Sequence, residues 1–173
     1  AQAQATLDLS ASLARALGNP PELDHPIRFA QARSTRELQD HYAGCREMTD
    51  LADEPELELD RVELLLQLTD CPQTARDGVK RLTAERDRLI EERGEDDPFA
   101  AELNLGLAKL TGRPEDTPYA AGLIHDASKV LIKTHGTRSS SVAEAWQRAG
   151  LLALRVHDME AAERYLRHAR TLF

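Results

Sequence analysis

The strongest constraint on this chain is that it resembles itself. When the sequence is shifted by 42 residues, Gly94 falls on Gly136, Ala101 on Ala143, Ala108 on Gly150 and Leu110 on Leu152. Further on, Ala120 falls on Ala162, Ile124 on Leu166 and Ala127 on Ala169. The coincident positions are mostly small or bulky apolar residues. Two closely crossing helices require this: small side chains where the backbones meet, larger ones to fill the gaps between. A fixed period of this length means stacked copies of one supersecondary unit, none of which can bury its apolar face alone.

The punctuation between the periodic segments is that of helices. Leu7 to Leu17 reads as a helix stopped by Gly18-Asn19-Pro20-Pro21. Residues 22–33 show no clear pattern. Ser34 or Thr35 is expected to cap a helix running to about Asp50, with Glu37 completing a capping box on Ser34. After a break at Asp53-Glu54-Pro55, Leu57 to Leu68 is apolar at helical spacing. Asp70-Cys71-Pro72 is a turn, and the helix it opens ends at Gly94. Asp97 caps the next helix, which stops at Thr111-Gly112-Arg113-Pro114. Thr117-Pro118 opens another, ending near His135-Gly136. Ser141 or a neighbouring serine caps a helix to about Val156, and Met159 to Leu172 follows the turn at His157-Asp158. No alternating strand pattern interrupts this order. Ala, Leu, Arg and Glu dominate the composition, which suits helices. The expected fold is all-α, built of antiparallel helix pairs with short connections.

Within the last period stand Trp146, Gly150 four residues on, Ala162 twelve further, Leu166 four further and Ala169 three after that. This spacing resembles a tetratricopeptide repeat, with Ala149 where that pattern has a large residue. The period before it matches with Leu107, Ala108, Ala120, Ile124 and Ala127, but has Asn104 in place of the tryptophan. The 42-residue period is similar to the kinesin-light-chain-like subtype, whose second helix is longer. The resemblance implies a right-handed α–α superhelix with clear repeats at 97–138 and 139–173. A degenerate one lies at 56–96, with Glu85 where a small residue belongs. Residues 1–55 form a less regular helical part without a match.

Catalytic chemistry finds no foothold. The six histidines, His25, His41, His125, His135, His157 and His168, form no metal-ligand spacing, and each reads as a surface or helix-end residue. Ser139-Ser140-Ser141 reads as linker and cap, and no glycine-rich phosphate loop is present. The expectation is a non-enzyme without cofactor or metal. The net charge of −8 argues against a nucleic-acid partner, and no stretch is long and apolar enough to span a bilayer. Cys45 and Cys71 are either a disulfide or two small buried apolar residues. The compartment stays open: cytoplasmic, or periplasmic or secreted if Ala1 follows a cleaved signal.

A partner is therefore expected on the helical surface. The first helices of successive pairs line the concave side of such a stack. The candidates there are Glu102, Leu105, Gly106, Lys109 and Arg113, then Glu144, Gln147, Arg148, Leu151 and Arg155. Lys109, Arg113, Arg148 and Arg155 would make a basic strip suited to an acidic peptide or protein. By the resemblance, Arg148 matches a position at which family members clamp a peptide carboxylate. Two further readings are self-association through the C-terminal helix, where Leu166, Leu172 and Phe173 lie, and a regulatory or sensory part of a longer protein.

Overall fold

A computed structural model describes residues 9–10, 12–13, 15–16, 18, 21–38, 40–54, 61–71, 75–111 and 114–172. All regular structure among these residues is helical. The helices are α1 (Pro21–Leu38), α2 (His41–Ala52), α3 (Arg61–Leu68), α4 (Ala75–Arg93), α5 (Pro98–Leu110), α6 (Thr117–His135), α7 (Ser140–Arg155) and α8 (Met159–Arg170). A short 3-10 turn at Pro114–Asp116 leads into α6. The chain divides into two units, Ala1–Ala75 and Arg76–Phe173.

In the first unit α1 and α2 form a tight antiparallel pair against which α3 packs. The crossing is close because Gly44 lies at its centre. A methyl group there would stand 2.6 Å from the Arg36 Cα. Met48, Leu51, Leu64, Leu65 and Leu68 fill the interior, each at most 2% exposed. Each such side chain is worth about 1.5–3 kcal/mol of apolar transfer. Cys45 and Cys71 are joined by a disulfide that ties α2 to the residue following the α3 turn. Arg36, its side chain only 8% exposed, donates from Nη1 to the Gln67 carbonyl at 2.9 Å and from Nη2 to Gln67 Oε1 at 2.8 Å. A buried guanidinium is tolerated when its donors are met in this way.

Three expectations for this region need correction. Residues 21–38 are one helix, so Ser34 is an interior residue and not a cap. The helix that follows is capped by Asp40, whose carboxylate accepts from the Tyr42 and Ala43 N–H groups at 2.9 and 3.0 Å. His25 is buried, with Nε2 2.9 Å from Glu54 Oε2, and is not a surface histidine. Of the helix expected at Leu7–Leu17, residues 7, 8, 11, 14 and 17 lie outside the described residues, as do residues 57–60 of the helix expected at Leu57–Leu68.

The second unit carries the repeat. Helices α5 and α7 begin 42 residues apart, at Pro98 and Ser140, and so do α6 and α8, at Thr117 and Met159. The residues before these starts keep the same spacing. Asp97 accepts from the Ala100 N–H at 2.9 Å, and Ser139 from the Val142 N–H at 3.2 Å. Gly94 and Gly136, three residues upstream of each cap, have φ of 92° and 78°. A side chain resists this left-handed backbone, which accounts for glycine at both. Helix α4 shares the length of α6, 19 residues each, and starts 42 residues before it. Its Gly78 stands where α6 has Ala120, with a Cβ position 3.2 Å from Leu110. Glu85 replaces the small residue of the pattern. It is buried, and Arg88 answers its charge with Nη2 at 2.5 Å.

Candidate partner-binding face

Helices α5 and α7 are the first members of successive pairs and lie alongside each other. Polar bonds fasten them at both ends. Near their starts, Ser141 Oγ donates to Glu102 Oε1 at 3.0 Å. Near their ends, Arg155 Nη1 donates to the Thr111 carbonyl, an acceptor left over where α5 stops. Between these ties the surface presents Gln147 and Leu151, both exposed, the latter at 49%. Lys109 is half-buried on α5.

The strip is of mixed charge. Arg148 Nη2 lies 2.7 Å from Glu144 Oε1, one turn earlier on α7. The guanidinium is largely covered and its partner half open. Glu102 and Glu144, both candidates for this face, interleave with Lys109, Arg148 and Arg155, so the strip is not uniformly basic. Leu105 and Gly106 are buried and do not reach the face. Arg113 lies outside the described residues. The structure therefore brings Lys109, Gln147, Arg148, Leu151 and Arg155 together on α5 and α7, with Arg155 committed to a backbone carbonyl.

One part of this face was not apparent beforehand. Phe99, Glu102, His135 and Ser139 to Ser141 enclose a hollow of about 310 Å³ at the start of α5 and α7. Phe99 is 40% exposed, and the Arg93 guanidinium carbon lies 5.8 Å from its ring centre. An exposed aromatic directly after a helix-opening proline was the available signal. A larger hollow, about 640 Å³, lies along α8 beside Trp146. There the Trp146 and Tyr165 rings stack at 5.6 Å and His168 meets Trp146 edge-on at 5.1 Å. The outer side of α8 carries a Glu163–Arg167 ion pair. Leu166 does not point away from the unit but packs against α7 at Gly150, and Phe173 lies outside the described residues.

Among the described residues no group of three metal-binding side chains occurs, and no helix is long and apolar enough to cross a membrane. No protein-family model matches the sequence. No curated protein sequence matches it either. Among solved structures the chain is similar to the crystal structure of BtubC (BKLC) from P. vanneervenii, a helical-repeat protein, with a TM-score of 0.61. The two are 17% identical over 99% of this chain and 70% of the other. The fold is that of a TPR-like helical repeat. At this identity the likeness concerns fold, and function has to be argued from the surface.

Proposed function

We propose that this protein is a non-catalytic interaction module that binds a segment of a partner protein along α5 and α7. The observation carrying this reading is the exposed run of Gln147, Leu151 and the Arg148–Glu144 pair on α7, beside Lys109 on α5. An exposed leucine between cations offers an apolar anchor flanked by charge, a common composition for a binding surface. The partner segment is an extended one with an apolar residue for Leu151 and a carboxylate for Arg148. That carboxylate takes the place of Glu144, so Glu144→Gln strengthens binding by releasing the arginine in advance. We further assign the repeat to the 42-residue kinesin-light-chain-like subtype, on the spacing of the helix starts and the 19-residue α6.

A photo-crosslinking residue placed at Gln147, compared with one at Lys129 on α6, tests the face in cell extract. The expected result is a discrete crosslinked partner from position 147, lost in the Arg148→Glu/Leu151→Asp double variant. Equal products from both positions, or products indifferent to the double variant, would remove the assignment.

A further inference from the structure

The clear repeats differ at one packing position, and the difference opens a site. In the first repeat Leu107 is 1% exposed. In the second, Ala149 takes its place, and a crevice of about 280 Å³ lies between α6, α7 and α8 with Ala149 in its lining. Ile124 and Leu152 give it apolar walls and Trp146 and Tyr165 give it aromatic ones. Thr117 stands in the same lining, and its Oγ1 is buried without a hydrogen bond among the described residues. A buried hydroxyl lacking a partner is destabilising, and an incoming polar atom removes that cost. This crevice is distinct from the α5 and α7 face.

We propose that the crevice receives an aromatic side chain of a partner protein, one bearing a hydrogen-bonding group that meets Thr117. The volume fits: a cavity of about 150 Å³ already admits benzene, so this one takes a substituted ring. The walls fit, because Trp146 and Tyr165 offer ring edges and faces to a third ring. The exposed surroundings select a protein over a free small molecule. Val156 lines the crevice and is 45% exposed, and Leu154 and Met159 beside it in sequence are 38% and 60% exposed. A lone ring leaves that apolar surface wet, whereas residues flanking a ring on a chain cover it.

The test is an NMR titration of the isotopically labelled full chain with two probes. One is p-cresol, the ring alone. The other is a capped five-residue peptide with a central tyrosine and leucine at both ends. Saturable shifts at the Ile124, Ala149 and Leu152 methyls are expected with both, the peptide binding at least fivefold more tightly. Ala149→Leu, which installs the first repeat's own residue, should weaken both probes at least tenfold while the melting temperature holds or rises. Should that variant misfold by circular dichroism, Ala149→Val serves as the smaller filling. Thr117→Val should weaken both probes several-fold, and Met159→Ser, outside the lining, the peptide alone. Equal affinity for p-cresol and peptide would make this a small-molecule site and overturn the proposal. So would shifts that persist undiminished in Ala149→Leu, or an absence of shifts with either probe.

Discussion

In the first unit the ties run between particular residues far apart in sequence. Cys45 meets Cys71, Arg36 meets Gln67, and His25 and Arg28 both meet Glu54. In the second, the same small and large residues recur at one spacing, and the helix caps recur with them. Both arrangements hold helices in antiparallel pairs. The first concentrates its stability in a few bonds, each vulnerable to one substitution. The second spreads it over many similar contacts, so that a single departure such as Asn104 or Ala149 leaves only a local defect.

The comparison breaks most sharply at the disulfide. Its removal in Cys45→Ala/Cys71→Ala should cost about 3–4 kcal/mol for a link spanning 26 residues. The loss should fall on the first unit. Trp146, the single tryptophan of the chain, reports on the second. In urea, the helical circular dichroism signal should gain an earlier transition while the fluorescence midpoint of Trp146 stays in place. A fluorescence midpoint that falls by the same amount would mean that the two units unfold together.

Next in size are the glycines. Gly44→Ala drives a methyl into the backbone of α1 near Arg36, which has no room to yield, and should cost about 3 kcal/mol. Gly150→Ala meets the Leu166 side chain, with Cγ at 2.5 Å and Cδ2 at 2.7 Å, and should cost about 1–2 kcal/mol. The first repeat pairs Ala108 with Ile124 at these positions, so adding Leu166→Ile should recover part of that loss. Chemical denaturation of the single and double variants checks both numbers.

A smaller effect has the opposite sign. Asn104 stands where the second repeat has Trp146, and its Oδ1 is buried without a hydrogen bond among the described residues. Asn104→Leu removes that orphan and should raise stability by about 1 kcal/mol, read as a higher melting temperature. An unchanged melting temperature would mean that the oxygen is met by water.

The least effect concerns pH. The hydrogen bond from Arg28 holds the Glu54 carboxyl below its usual 4.5, against the opposing effect of its partial burial. A carboxylate with a lowered folded-state pKa stabilises the fold above its unfolded value, and that contribution is lost as pH falls through the folded one. Acid titration of the first unit should therefore show a loss of under about 1 kcal/mol below pH 4.5 that Glu54→Gln abolishes.

What the sequence disclosed follows the same division. The second unit was legible because its packing is periodic: Asp97, Gly94, Gly136 and the serine run each announced a helix end where one is found. The first unit was legible only in part. Gly44 and Arg36 gain their meaning from residues brought near by folding, and no local pattern marks them. Ser34 and Glu37 together make a sound local signal for a helix cap. A continuous helix from Pro21, packed on α2, overrode it. On the candidate face, helical spacing located Gln147, Arg148 and Leu151 on α7. The pairing of Arg148 with Glu144 and of Arg155 with Thr111 depends on side-chain choices that spacing cannot convey.

The matched register of the caps makes the first clear repeat transferable. Because Asp97 and Ser139 close equivalent turns, and Gly94 and Gly136 reverse the chain at the same point before each, both boundaries share one backbone geometry. A tandem copy of residues 97–138 spliced in after Arg138 would follow a Gly136 turn equivalent to its own Gly94 turn and would lead into Ser139 as it already does. Growth of the array by whole units is thus open to gene duplication, and to deliberate engineering, with the face formed by α5 and α7 lengthening by one helix at each step.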